Sequence, residues 1–166
     1  LVTLQSYPAA ISRTSYARTT DGANNWGLTA LPTPGKSNDG SVFATARLDA
    51  PIINKDSQLF TSSFIARVTI PDGATLKYTT DGTTPSATNG QVSTTGRFTV
   101  NTTTTYRFRL FQDGMLPSEV ITRSYIYKDK EFKLPVISVV TDPVNLYDDS
   151  LGAVSYTYLT LPTNSL

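Results

Sequence analysis

Between residues 49 and 127 the chain alternates apolar and polar positions in short runs broken by turn signals. Phe64, Ala66, Val68 and Ile70 alternate with Ile65, Arg67 and Thr69, so the first set is predicted to face a core from one strand. Pro71, Asp72 and Gly73 then turn the chain. Leu76 and Tyr78 alternate with Lys77 and Thr79 up to Asp81-Gly82, and Phe98 with Val100 marks a third short run. Tyr106, Phe108 and Leu110 alternate with Arg107, Arg109 and Phe111 on a fourth. Val120 to Tyr127, rich in β-branched and aromatic residues, makes a fifth.

Adding Pro51 to Asn54 as an edge strand brings the expectation to six or seven strands, with a turn about every ten residues. That spacing predicts an all-β fold, an immunoglobulin/fibronectin-III-like antiparallel β-sandwich, with incomplete modules on either side. Five of the ten glycines directly follow an Asp, at Asp21-Gly22, Asp39-Gly40, Asp72-Gly73, Asp81-Gly82 and Asp113-Gly114. Each such pair is a tight-turn signal, because Gly accepts positive φ and Asp tolerates it.

The flanks differ from this block. Residues 1–48 hold the single Trp (Trp26), a Pro-Gly stretch from Leu31 to Gly40 and one further run, Ser41 to Leu48. They divide into the end of a preceding module (1–38) and a linker with a connecting strand (39–48), ahead of the sandwich (49–127). After Tyr127 comes a charged connector, Lys128-Asp129-Lys130-Glu131, then an apolar run, Val136 to Val140, which reads as the first strand of another module (128–152). Asp142-Pro143 is suited to cap a single helical turn with Pro at the first helical position.

Composition sharpens the all-β reading. The 166 residues include 27 Thr and 16 Ser, with 11 Asp against two Glu. Thr, Ser and Asp compete with the helical backbone for hydrogen bonds, whereas Glu supports a helix. The formal net charge of +1 disfavours nucleic acid and an electrostatic membrane anchor as partners. No apolar run approaches the roughly 18 residues of a membrane-spanning helix, so no membrane insertion is expected. His and Cys are absent, which removes imidazole- or thiolate-held zinc, Ser-His-Asp triads and Cys nucleophiles. The chain opens on Leu1 and no signal-peptide pattern follows, so it is expected to begin inside a longer protein or after processing.

Three segments resemble known families. Thr14 to Trp26 (TSYARTTDGANNW), followed by Pro32 to Asn38 (PTPGKSN), resembles the closing end of a bacterial lamin-tail domain, itself an immunoglobulin-like sandwich of secreted proteins. Tyr78 to Ser86 (YTTDGTTPS), the Thr run before Tyr106, and Ser118 to Tyr127 (SEVITRSYIY) resemble the chitobiase/β-hexosaminidase C-terminal domain. That resemblance implies a small fibronectin-III-like sandwich appended to carbohydrate-active and other secreted bacterial enzymes. Leu134 to Gly152 (LPVISVVTDPVNLYDDSLG) resembles the opening of a CotH-type kinase domain, whose catalytic part would lie beyond this chain. Val154 to Thr163 (VSYTYLTLPT) resembles a translated sequencing adapter, V-S-Y-T-H-L-T-L-P-T, with Tyr158 in place of His. Residues 153–166 are therefore expected to be an artefactual tail, the alternative being a Thr-rich strand.

Candidate chemistry is sparse. Asp81-Gly82 is compatible with a calcium ligand or a sugar contact, but an Asp-Gly between two Thr-rich runs reads as a turn. Asp21, Asn24 and Asn25 beside Trp26 supply oxygen ligands, but their spacing does not fit an EF-hand loop. Trp26 and Tyr78 suit either sugar stacking or core packing. Arg107 and Arg109 share one face of a strand, and Arg123 is expected to join them from the next; a phosphate or polysaccharide patch competes with solvated cross-strand charges. Asp142, Asp148 and Asp149 read as a helix cap and a solvated turn rather than a metal site. Glycosidic hydrolysis needs two carboxylates roughly 5 to 9.5 Å apart. Glu119 and Glu131 are the sole glutamates, and most of the Asp sit in turns. No phosphate-cradling loop with a following metal-binding acid appears either.

These features predict no catalytic, cofactor-binding or metal-binding residues and no cofactor. The expected role is a non-catalytic accessory or spacer piece of a secreted or cell-surface multidomain bacterial protein, its parent a CotH-like kinase. The alternative is a carbohydrate-binding or adhesive module attached to a carbohydrate-active enzyme. Its partners would be other domains of its own chain, with carbohydrate or a cell-surface protein next.

Overall fold

A computed structural model describes residues 11–148. The expected tail (153–166), Asp149 and Gly152 lie outside the described residues. Nine strands and one helical turn follow in chain order. They are β1 (Ser15–Arg18), β2 (Trp26–Thr29), β3 (Gln58–Phe60), β4 (Phe64–Arg67), β5 (Thr75–Thr79), β6 (Gln91–Ser93), β7 (Arg97–Val100), β8 (Thr104–Phe111), β9 (Ile121–Tyr127) and α1 (Val144–Tyr147). The fold is all-β and immunoglobulin-like: a five-stranded sheet ordered β3-β9-β8-β5-β6 faces a two-stranded sheet, β4-β7, and β1-β2 forms a separate hairpin.

The alternation that predicts each strand is what builds the core. On β8, Tyr106, Phe108 and Leu110 are buried while Arg107, Arg109 and Phe111 are only half-buried. On β4 and just beyond it, Ala66 and Val68 are buried and Ile65, Arg67 and Thr69 exposed. Phe98 and Val100 of β7 point inward from the facing sheet. The two layers meet through rings: Phe98 lies 5.0 Å from Phe108 and 4.9 Å from Tyr78, both edge-on, centroid to centroid. Such pairs add about 0.5–1.5 kcal/mol beyond the area they bury. At the other end Phe64 packs edge-on against Phe60 and Tyr125. Tyr125 is fully buried, yet its hydroxyl is satisfied by the Lys55 carbonyl at 3.0 Å.

Several expectations need correction. β3 pairs parallel to β9, so the larger sheet is mixed rather than wholly antiparallel. Pro51 to Asn54 is not a strand: one bridge, Ile53 to Val68, and two backbone bonds run beside β4. Pro51 has no N–H to give to a ladder. Ser41 to Leu48 likewise forms isolated bridges, Ala44 to Leu28 and Arg47 to Leu116. Through them it stitches the β1-β2 hairpin to the sandwich, and Leu28, Ala44 and Leu116 form a small second core. Val136 to Val140 makes no strand; Ile137 and Val139 are 85% and 83% exposed. Apolar residues form a strand only where a neighbour offers a backbone ladder, and this run meets β9 through a side-chain bond, Ser138 to Ser124, without backbone pairing.

Thr79 departs from the alternation and is buried, its hydroxyl donating to the Thr83 carbonyl at 2.6 Å. Ser118 is buried too. Its Oγ accepts the Leu110 N–H and donates to the Glu119 carbonyl, both at 2.9 Å, closing the loop between β8 and β9. Among the described residues no helix is long and apolar enough to cross a membrane.

Two substitutions test this architecture. Phe108→Ala opens a cavity between the sheets and is expected to cost about 3–5 kcal/mol in chemical denaturation. Gly96 holds φ +62°, and a Cβ there would collide with the Val68 carbonyl, at a strand crossing already fixed by the Val68 N–H donating to the Gly96 carbonyl. Gly96→Ala is expected to cost about 2 kcal/mol or more. A loss below about 1 kcal/mol in either variant would contradict the packing described.

Candidate functional site

The loop from Thr80 to Gly90, between β5 and β6, concentrates the polar chemistry. Asp81 Oδ1 accepts both the N–H and the hydroxyl of Thr83, at 3.0 and 2.6 Å. Asp81 is thus the acceptor of a local turn, and Gly82 supplies the positive φ of +84° that the turn requires. The hydrogen bonds from Thr83, side chain first and backbone second, hold the Asp81 carboxyl below its ordinary value of 3.8. Asn89 closes the loop, its Nδ2 donating to Thr83 Oγ1 and to the Thr84 carbonyl at 2.9 and 3.0 Å. The sequence reading overlooked Asn89; an Asn terminating a Thr-rich loop is the signal that marks it.

Three side chains clamp this loop from outside, two of them from β8. Arg107 Nη1 donates to the Gly82 carbonyl at 2.7 Å. Arg109 Nε donates to the Ser118 carbonyl at 2.9 Å and its Nη1 reaches the Pro85 carbonyl at 3.4 Å. From the far end of the chain, Asp142 Oδ2 accepts the Thr84 N–H at 3.1 Å. The Thr141 carbonyl sits so close that a Cβ on Gly82 would lie 2.9 Å from it. Asp142 Oδ1 also accepts the Val144 N–H, and Pro143, with φ −52° and ψ −33°, starts the helical turn α1. The expected cap is present, and it doubles as a tether to the sandwich. Burial depresses the Arg109 pKa, with Glu119 opposing the shift and Arg47 adding to it.

A shallow groove of about 350 Å³ runs along this loop, lined by Tyr78, Asp81, Asn89 and Gln91 among others. Tyr78 contributes its edge: its ring belongs to the core cluster and its hydroxyl donates to Gln91 Oε1 at 2.6 Å. Packing is therefore its role. Trp26 is likewise occupied, stacked on Tyr16 at 5.8 Å with the Arg18 guanidinium 4.9 Å above its ring. Arg18 donates in turn to the Ala23 carbonyl, across the turn that carries Asn24 and Asn25.

Arg123 does not join Arg107 and Arg109. The register sets it opposite Tyr106, and Arg107 opposite Thr122, so Arg123 leaves the other face of the sheet. It pairs there with Asp56 at 3.2 Å. Asp21 accepts the Asn38 N–H, while Asn38 Nδ2 donates to the Arg18 carbonyl and its Oδ1 accepts the Thr33 hydroxyl. The two segments quoted for the lamin-tail resemblance thus meet through Asn38. Lys128 pairs with Glu131 on the exposed connector, and Asp148 ends α1. Glu119 pairs with Arg47. Among the described residues, no three His, Cys, Asp or Glu side chains gather as a metal site would require.

Residues 56–122 match the chitobiase/beta-hexosaminidase C-terminal domain. The match runs from just before β3 into the start of β9 and contains the whole clamped loop. No curated protein matches the chain.

The Asp81 carboxyl offers a direct check on the loop. Its titration by NMR is expected to have a midpoint below 3.8, because both Thr83 bonds favour the charged form. Thr83→Val removes the larger contribution and should move the midpoint back up. An unchanged midpoint in that variant would contradict the turn geometry.

Proposed function

We propose that this chain is a non-catalytic, carbohydrate-binding accessory module of a secreted or cell-surface multidomain protein. The observation that carries the reading is the family match over 56–122, because that family is described as the C-terminal domain of enzymes named for chitobiose and hexosamine sugars. The chemistry of the loop agrees with it. Its groove presents hydroxyl, amide and carboxylate groups from Thr80, Asp81, Asn89 and Gln91 on a backbone fixed by Arg107, Arg109 and Asp142. Sugar hydroxyls are bound by such pre-positioned polar groups, since little ordering entropy is then lost on binding.

A spacer role has its own support. The Thr84–Asp142 bond, with the Ser138 to Ser124 hydroxyl bond at 3.0 Å, fastens the connector 128–142 along the sandwich. Residues that follow would then leave the module in a fixed direction. The resemblance of Leu134 to Gly152 is what points to a CotH-type kinase there, and that of Thr14 to Asn38 to a lamin-tail domain on the other side.

Affinity electrophoresis of the full chain through gels containing glycol chitin, xylan or polygalacturonate separates the two readings. The binding module is expected to be retarded by at least one polysaccharide. Unchanged mobility in all three would remove the carbohydrate reading and leave the spacer.

A further inference from the structure

On the outer face of the larger sheet, a cleft of about 440 Å³ lies where the hairpin side of the molecule meets β8. Four guanidiniums line it: Arg107 and Arg109 from β8, Arg47 from the stitching segment, and Arg13 from the turn before β1. Glu119 is the one acid among the lining residues, and it is committed to Arg47. Four positive charges therefore face one negative charge, in a chain whose formal net charge is only +1.

The donors are not all used. The Nε–H groups of Arg47 and Arg107 are buried without a hydrogen-bond partner among the described residues. A buried donor left unpaired is destabilising, so these two guanidiniums are held in the cleft without full compensation from the protein. Arg13 adds a second sign of constraint. It is the one non-glycine among the described residues in the left-handed region, with φ +57°, and this turn places it in the lining of the cleft. Asp142 is not a competitor, since its two oxygens face the Thr84 and Val144 N–H groups.

We propose that this cleft binds the oxyanion of an acidic saccharide, a uronate carboxylate or a sulfate ester. The proposal rests on the carbohydrate reading above and names the substrate class it favours. Planar guanidinium forks match carboxylate and sulfate oxygens in pairs, which a lysine cluster would not. The volume lies in the range of small-ligand sites. The remaining walls come from Thr84, Ala30 and Val120. No aromatic ring lines the cleft, so a nucleotide would find nothing to stack its base on. Thr84 also joins the cleft to the clamped loop, so a sugar chain anchored by its acid group can extend toward the hydroxyl- and amide-lined groove.

Calorimetric titration of the full chain with trigalacturonate, a sulfated heparin disaccharide, inorganic sulfate and neutral diacetylchitobiose tests this. At least one acidic saccharide should bind, with affinity falling about tenfold or more as salt rises from about 50 to 500 mM. Trigalacturonate binding alone assigns a uronate, and heparin-disaccharide binding alone a sulfate ester. Arg13→Gly and Arg47→Gln should each weaken that binding about tenfold or more. Arg13→Gly should also keep or raise the thermal midpoint, because glycine adopts positive φ freely. Lost binding in that variant therefore cannot come from unfolding.

Binding that survives in both variants would overturn the assignment to this cleft. Inorganic sulfate bound as tightly as either saccharide would overturn the saccharide and leave a simple anion site. Retardation by glycol chitin or xylan with no binding of the acidic probes would overturn the proposal while the carbohydrate reading stands. Absence of binding to every saccharide, with no retardation, would remove both.

Discussion

Everything in this fold depends on the face-to-face closure of β4-β7 over the larger sheet. A two-stranded ribbon is marginal in water by itself. It persists because Phe98 inserts among Tyr78, Tyr106 and Phe108, and because Val100, Ala66 and Val68 complete an apolar layer with Leu76 and Leu110. Closure also explains the tight crossing at Gly96, where the Val68 strand end passes within reach of the glycine backbone. With the inner face consumed in this way, chemistry is restricted to the outer face and to the loops.

The outer face is where Arg107 and Arg109 do something the alternation does not state. Side chains that leave a sheet on its polar side ordinarily end in solvent. Here they turn back onto loop carbonyls, Gly82, Pro85 and Ser118, and fix the loop between β5 and β6 from beneath. Asp142 completes the clamp from 58 residues away in sequence. A loop so held presents its polar groups in one arrangement, the property a binding surface for sugar hydroxyls requires.

Strands were legible where one face is buried and the other is not. The runs at 64–70, 76–79, 98–100, 106–111 and 120–127 all lie on strands or their ends, because a period of two is the direct imprint of a one-sided core. β3 and β6 carried no such imprint. They are three residues each, and Leu59 and Val92 are exposed, so their pairing is imposed by β9 and β5. The converse holds for Val136 to Val140, whose composition suits a strand but which no neighbouring strand receives. At the candidate site, the turn at Asp81-Gly82 and the shared face of Arg107 and Arg109 were readable, since both are local. The contributions of Arg13 and Arg47 were not, since nothing in their own neighbourhoods points to the cleft; Asn89 carried only the weak signal of an Asn closing a Thr-rich loop.

The sequence by itself determined the local and periodic features: an all-β sandwich, its main strands, its Asp-Gly turns and the cap at Asp142-Pro143. Hydrophobic alternation and glycine conformational freedom act over a few residues, so they are written directly into the order of amino acids. Tertiary structure alone decided which strand lies parallel to β9, that Arg123 leaves the opposite face from Arg107, and that four arginines from three separate segments converge on one cleft. Those outcomes depend on register and on how segments dozens of residues apart are brought together, and closure of the core is what sets both.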